Sequence, residues 1–304
     1  MIKKQVQLEW LVSAEDAGLL LRDFLLTKQM ISRSALAKIK HQDGVILVNE
    51  QEKNVRTVLK EKDKIVIYLP SEQPSASLVA GDGSLDIRYE DEHVLVINKR
   101  AGQLTIPSRE QSTGTLANDV IGYYQQNGIA ATFHAVNRLD KDTTGLLIVA
   151  KHRLAHDKLS KQQQKKQVKR YYEAIVEGRV CPLKACIDHP ITRKPTSIIE
   201  RMVHSSGQFA KTYYEVISQN ELLTYVRIEL ETGRTHQIRV HFSSLGFPLC
   251  GDDLYGGHVD LISRQALHCY RVTFNHPFTG KLISLDSEMP EDMKLLLRKI
   301  KTKP

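Results

Sequence analysis

The densest run of chemically capable residues is Asn137-Arg138-Leu139-Asp140-Lys141-Asp142-Thr143-Thr144-Gly145, which passes into the apolar run Leu146-Leu147-Ile148-Val149-Ala150. A polar turn ending at a glycine and feeding a buried strand puts Asp140 and Asp142 on a loop at the mouth of that strand, a common place for reacting groups. An aspartate with a reference pKa of about 3.9 is ionised at neutral pH and can act as nucleophile or base. Read alone, an Arg-x-Asp in a loop is more often a turn cap or a salt bridge. Two histidines, His236 and His241, invite a metal reading. Five residues apart, they share no face of a helix or a strand, and no cysteine or carboxylate pair completes a ligand set. Thr235 suits a helix N-cap, and Ile238, Phe242 and Leu245 fit one helical face, so His236 reads as a structural or network residue. Neither common glycine-rich phosphate loop occurs, so no nucleotide cofactor is implied.

The elements around this loop divide the chain. In the first seventy residues, Leu19, Leu20, Phe24 and Leu25 recur at helical spacing. Ile31 to Ile39 reads as a second short helix with Ser32 or Ser34 as its cap, and Val45–Asn49 and Lys64–Tyr68 read as strands. Arg33, Lys38, Lys40 and Arg56 are interspersed among them. Residues 70–84 (PSEQPSASLVAGDGS) are rich in Pro, Ser and Gly and read as a linker. Beyond it, Ile87–Tyr89 and Val94–Lys99 read as a hairpin opening a larger domain. Glu291 to Lys301 reads as a short amphipathic helix. The expected division is residues 1–70, a linker over 71–84, and residues 85–304.

Composition narrows the class. The 304 residues carry 43 Lys and Arg against 35 Asp and Glu, a net charge of +8, which favours a polyanionic partner. The bias concentrates between Lys151 and Arg170, where eight basic residues face Asp157 alone. The expectation is that this segment, Lys165 and Lys166 included, contacts an RNA backbone rather than forming a merely solvated helix. Cys181, Cys186, Cys250 and Cys269 form no close pair and read as reduced thiols of a cytoplasmic protein. The apolar stretch from Gly18 to Leu26 is interrupted by Arg22 and Asp23, so neither export nor membrane anchoring is indicated.

Three segments together resemble one family. The run from Asn137 to Lys151 resembles the catalytic motif of the RluA-type pseudouridine synthases, written H-R-L-D-x-x-T-S/T-G-L-L. Lys169-Arg170-Tyr171-Tyr172-Glu173-Ala174-Ile175-Val176-Glu177-Gly178 resembles the family's K-x-Y-x-A-x-V-x-G strand. Thr232-Gly233-Arg234-Thr235-His236-Gln237-Ile238-Arg239-Val240-His241, with Leu245–Pro248 and Gly251–Gly256, resembles its third motif. The N-terminal helix-helix-strand-strand order, carried by Ser32–Lys40 and Gly44–Asn49, resembles the S-four-like RNA-binding module.

The resemblance implies an RNA pseudouridine synthase with no cofactor and no metal. It implies an α+β fold, in which a mixed, mainly antiparallel sheet flanked by helices forms the catalytic domain and a small α/β module precedes it. Asp140 would be the carboxylate that attacks the target uridine or abstracts a sugar proton, freeing uracil to turn and rejoin the ribose through carbon 5. Arg234 would pair with it, and Tyr172 would stack on the uracil. Arg138 would fill the gap left by the flipped nucleotide, and Ile238 would wall the base or serve the core. Asn137 stands where the family usually has His, and Arg100 where it has Pro, which affects contacts near the flipped base. The expected partner is ribosomal RNA of the large subunit, with transfer RNA open, and the expected state is a monomer. Two competing readings are a catalytically idle RNA-binding or ribosome-assembly factor and a metal-dependent hydrolase of RNA. The trio Asp140, Tyr172 and Arg234 disfavours the first, and the poor ligand spacing the second.

Overall fold

A computed structural model describes residues 6–75 and 77–301. The N-terminal part is a four-stranded antiparallel sheet in the order β1 (Gln7–Leu11), β4 (Lys64–Tyr68), β2 (Val45–Val48) and β3 (Gln51–Glu52). Over it lie α1 (Leu21–Asp23), which continues as a wide turn to Lys28, and α2 (Arg33–His41). Ser32 is the cap of α2: its hydroxyl accepts from the Ala35 amide at 3.2 Å, pairing one orphan donor of the first turn. Leu21, Phe24, Leu25, Ile39, Ile65 and Ile67 form the core of this unit.

The second sheet has ten strands. Along its main path the order is β10 (Lys184–Ile187), β13 (Thr212–Gln219), β14 (Leu223–Leu230), β9 (Lys169–Glu177), β15 (Leu267–Asn275), β8 (Thr144–Ala150), β6 (Val94–Lys99) and β5 (Ile87–Glu90). Two further strands sit off this path, β16 (Leu282–Asp286) on β15 and β7 (His134–Ala135) on β8. A separate hairpin joins β11 (Ile191–Arg193) to β12 (Arg201–Val203). Every pairing in the large sheet is antiparallel except β15 with β8, so the sheet is mixed and mainly antiparallel, with flanking helices, as expected. Strand β8 is buried along its whole length, as its unbroken apolar sequence requires. At its start Gly145 has φ +111°, and a Cβ there would lie 2.3 Å from the Cys269 carbonyl oxygen, so only glycine permits β8 and β15 to approach. The helices are α3 (Leu116–Gln126), α4 (Arg153–Gln164), α5 (Gln237–Ser244) and α6 (Glu291–Lys301). Helix α6 lays Met293, Leu296 and Ile300 on Ile175 and Tyr225 of the sheet.

Two segments make contacts within the fold that their sequence pattern does not display. The described residues of the Pro/Ser/Gly-rich stretch form a strap tied to the larger domain. Leu78 and Leu85 pack on the main core, the Gly81 amide donates to the Asn118 carbonyl at 2.8 Å, and Asn118 Nδ2 donates to the Val79 carbonyl at 2.6 Å. Glu72 ties the strap to the start of α4, accepting from the Arg153 amide at 2.7 Å and meeting His134 Nε2 at 2.8 Å. Most basic side chains from Lys151 to Arg170 likewise have partners within the chain, several of them at the surface. Lys151 pairs with Glu90 at 2.8 Å, Lys169 with Glu229 at 2.6 Å and Lys166 with Glu231 at 2.5 Å. Lys158 donates to the Gln29 carbonyl at 2.8 Å and Lys161 to the Met30 carbonyl at 3.3 Å. Leu154 belongs to the core of the N-terminal unit, whereas Ala155 and Leu159 of the same helix belong to that of the large sheet. Helix α4 is therefore the seam between the two sheets. Charge pattern alone could not separate this from RNA contact, because both require cations on a helix beside an apolar stripe.

Candidate active site

Between Leu139 and Thr144 the chain has no regular structure, so its carbonyls need partners other than a helix or sheet ladder. They find them in order. The Leu139 carbonyl accepts from Thr105 Oγ1 at 2.7 Å, and that of Asp140 from the Thr143 amide at 3.2 Å. The Lys141 carbonyl accepts from Lys99 Nζ at 2.8 Å and the Gln103 amide at 3.1 Å, and that of Asp142 from Arg264 Nη1 at 3.0 Å. Asp142 folds back, its carboxylate accepting from the Gly102 amide at 3.1 Å. Lys99 is wholly buried and divides its three donors among the carbonyls of Arg100, Gln103 and Lys141. Burial pushes its pKa down to about 7, opposed by the carboxylates of Asp142 and Asp140.

So held, Asp140 stands at a partly open position, its side chain 26% exposed. The guanidinium beside it belongs to Arg239, not to Arg234. Arg239 Nη1 lies 3.3 Å from Asp140 Oδ2, while Nε and Nη2 grip the buried Asp252 carboxylate at 2.7 Å each. Its guanidinium carbon sits 4.9 Å from the Tyr255 ring centre. Burial disfavours the charged guanidinium, but Asp252 and Asp140 outweigh it and raise its pKa. Arg234 instead donates from Nε to the Phe209 carbonyl at 2.9 Å, on the exposed side of its loop. The chain reverses between the two arginines. His236, at φ 56°, is the left-handed residue before α5, and it displaces Thr235 from the expected capping position. That turn sends Arg239 inward and leaves Arg234 outside. Five residues of spacing in the motif do not reveal a left-handed residue between them; the buried pair Arg239–Asp252 was the missed signal.

The histidines serve separate networks. His236 places Nδ1 2.8 Å from the Tyr255 hydroxyl and Nε2 3.8 Å from Asp140 Oδ2, and burial lowers its pKa. His241 binds Thr212 Oγ1 and the His189 carbonyl, each at 2.9 Å. Among the described residues no group of three His, Cys, Asp or Glu side chains is placed to hold a metal ion.

Tyr172 lies in β9 opposite Cys269 of β15 and is almost wholly buried, with its phenol pKa raised by that burial and Asp140 among the charges acting on it. Arg170, one pleat earlier on the same face, is also buried, donating to the Thr232 carbonyl at 3.3 Å. A Cβ on Gly233 would come within 2.7 Å of its Nη1, so a side chain there would have to displace the guanidinium. Ile238 is buried within the main core cluster. Asn137 is buried too, and its side-chain oxygen accepts from the Ile148 amide at 2.9 Å, which ties it to β8. Arg138 is exposed beside the loop, and Lys165 is exposed at the end of α4.

A loop braced by buried donors, a half-open carboxylate and a guanidinium fixed by a second carboxylate can hold a charged oxygen pair against a substrate while excluding bulk water below it. Comparison with known proteins agrees. A profile described as RNA pseudouridylate synthase matches residues 93–244. The chain is 48% identical over 268 residues to an uncharacterized RNA pseudouridine synthase, YjbO, of Bacillus subtilis, covering 88% of this chain and 95% of that protein. It is 39% identical over 281 residues to ribosomal large subunit pseudouridine synthase D of Pseudomonas aeruginosa, covering 88% of this chain and 87% of the other. Among solved structures, human RNA Pseudouridylate Synthase Domain Containing 4 shares the fold, with a TM-score of 0.59 at 22% identity over 72% of this chain and 94% of that one. The chain belongs to the RNA pseudouridine synthase family and is an isomerase of uridine in RNA.

Proposed function

We propose that Asp140 is the carboxylate that carries the isomerisation and that the substrate is large-subunit ribosomal RNA. The supporting observation is its pairing with Arg239 on a braced loop that opens to solvent. Overall, the bond from ribose carbon 1 to uracil nitrogen 1 breaks, a bond from carbon 1 to carbon 5 forms, carbon 5 loses a proton and nitrogen 1 gains one. Atoms and oxidation state balance within the nucleoside, so no electron carrier is required. The Arg239 guanidinium favours the ionised carboxylate and fixes its direction, and Tyr172 offers the freed base an aromatic face that leaves in-plane rotation unrestrained. Arg138, exposed beside the loop, is the residue to enter the space vacated by the flipped uridine, offsetting an unstacking cost of a few kcal/mol.

Ribosomal RNA is the favoured substrate because a relative 39% identical over most of both chains is named for the large subunit. The N-terminal unit, residues 1–70, acts as an S-four-like RNA-docking module, with Arg22, Arg33, Lys40 and His41 along one groove. The enzyme works as a cytoplasmic monomer without metal.

The test is incubation with unmodified ribosomal RNA in chelator, mapping pseudouridine by chemical adduct and primer extension beside Asp140→Asn. Modification by the wild type that vanishes in the variant is the expected result. Turnover by the variant removes the carboxylate from the mechanism. Modification of transfer RNA alone moves the substrate, and loss of activity in chelator restores a metal.

A further inference from the structure

We infer that Arg264 is a positioning residue for the Asp140 loop, and that the C-terminal helix acts on catalysis through it. This rests on the assignment of Asp140 as the reacting carboxylate. Arg264 reaches from the segment before β15, its side chain 8% exposed. Two of its nitrogens, Nε and Nη2, form a forked pair with Asp292 in the first turn of α6, at 2.7 and 2.9 Å. The third, Nη1, donates to the carbonyls of Asp142 at 3.0 Å and Gln265 at 3.1 Å.

Only one partner of the pair is buried, the Asp292 side chain being 42% exposed, and an ion pair open to solvent contributes little stability. Stability alone therefore gives little reason for a charged pair here. The planar fork does something that apolar packing cannot. It fixes the guanidinium by two bonds at one edge and points the remaining donor at a loop carbonyl two residues beyond Asp140. The neighbouring contacts repeat the arrangement. Gln265 Nε2 donates to Thr143 Oγ1 at 3.2 Å, and Thr144 Oγ1 lies 2.9 Å from His268 Nδ1. Lys99 holds the preceding carbonyl from the opposite side. The loop is thus gripped between two buried cations, and only Arg264 is connected to α6. Behind it opens a cavity of about 360 Å³ lined by Lys99, Thr144, Arg264, His268 and Asp292 among others. Release of this grip would let the Asp140 carboxylate drift, and about 1 Å of misplacement can cost on the order of 100-fold in rate. RNA affinity should hold, because neither residue is among those proposed to meet RNA.

The experiment measures single-turnover rate and KM on unmodified ribosomal RNA, together with thermal midpoints, for Arg264→Lys, Asp292→Asn and Arg264→Ala. Lysine keeps an ion pair with Asp292 but not the fork. The expected result is a rate lowered about 10-fold or more in Arg264→Lys, and less in Asp292→Asn, with KM within about twofold and both proteins folded. Guanidinium ion added to Arg264→Ala should enter the cavity and recover part of the rate, whereas ammonium or urea at equal concentration should not. A wild-type rate in Arg264→Lys overturns the inference. So does a rate that falls only with the folded fraction and is not recovered by guanidinium. Asp140→Asn runs alongside: activity in that variant sinks the assignment of the carboxylate, whereas an inactive Asp140→Asn beside a fully active Arg264→Lys sinks the role of Arg264 alone.

Discussion

The Asp140 loop, residues 139–144, and the basic segment that follows β8, residues 151–170, are neighbours in sequence, and both are charged. In the loop, cations come from elsewhere, Lys99 and Arg264, and serve to hold carbonyls in place. In the basic segment the cations are local and numerous, yet most meet carboxylates or carbonyls of the chain itself. A carbonyl beside a reacting group must be fixed to tenths of an ångström, which favours a buried, rigid donor. A helix at a seam needs only neutralised charge along its rim. Cation count along the sequence therefore says little about which cations are available to RNA.

The contrast breaks most sharply at the paired arginines. Arg239→Ala leaves the fully buried Asp252 without a partner, so it should lower stability by about 3–5 kcal/mol and turnover by about 100-fold or more. Arg234→Ala should stay within about 0.5 kcal/mol in denaturant unfolding and keep near wild-type turnover. Equal losses in both would place the working guanidinium outside the Asp140 pair. Next comes Lys99→Met, which keeps the stem but removes the donors to three backbone carbonyls, that of Gln103 buried. A cost of about 1–3 kcal/mol is expected, with a lowered single-turnover rate and unchanged RNA affinity. Unaltered rate and melting would mean that the loop holds itself.

Acid should weaken the seam. His93 and His152 touch at 3.0 Å beside Phe278, and burial holds their pKa values at about 4 and about 3, against 6.5 in the open chain. Below the open-chain value the unfolded chain takes up protons that the folded one refuses. Stability present above pH 6.5 is thus lost as pH falls towards 4. Melting at pH 5 should fall below that at pH 7.5, and His93→Gln should reduce the difference; a flat profile would mean that these rings are not neutral in the fold. The smallest effect is reserved for Lys165→Ala. It should weaken RNA binding about two- to threefold and lower the slope of log affinity against log salt by about 1 at most. Lys158→Ala should leave both unchanged, because that lysine, its pKa lowered to about 8 by burial, faces Gln29. A larger salt effect from Lys158 than from Lys165 would reverse the assignment of the two cations.

Local pattern made much of the fold legible. Ser32 as a cap, the β-branched run in Lys64–Tyr68 and the apolar run after Gly145 each act through the backbone within a few residues, and each element formed where its pattern placed it. Helix α6 was equally plain from Met293, Leu296 and Ile300, though not its grip on Arg264. The contacts of the linker stretch are not legible in the sequence because glycines and serines carry no periodic signal, and its anchors, Asn118 and His134, lie far along the chain.

The chain's own order of residues determined the family, the loop bearing Asp140 and the strand bearing Tyr172, because motif and periodicity are properties of neighbouring residues. Which arginine faces the carboxylate, and which lysines remain outside, were decided by the tertiary structure alone. A left-handed turn at His236 and a buried carboxylate at Asp252 select Arg239 over Arg234. A buried charge is stabilised by partners brought from distant positions, and only the folded chain brings them together.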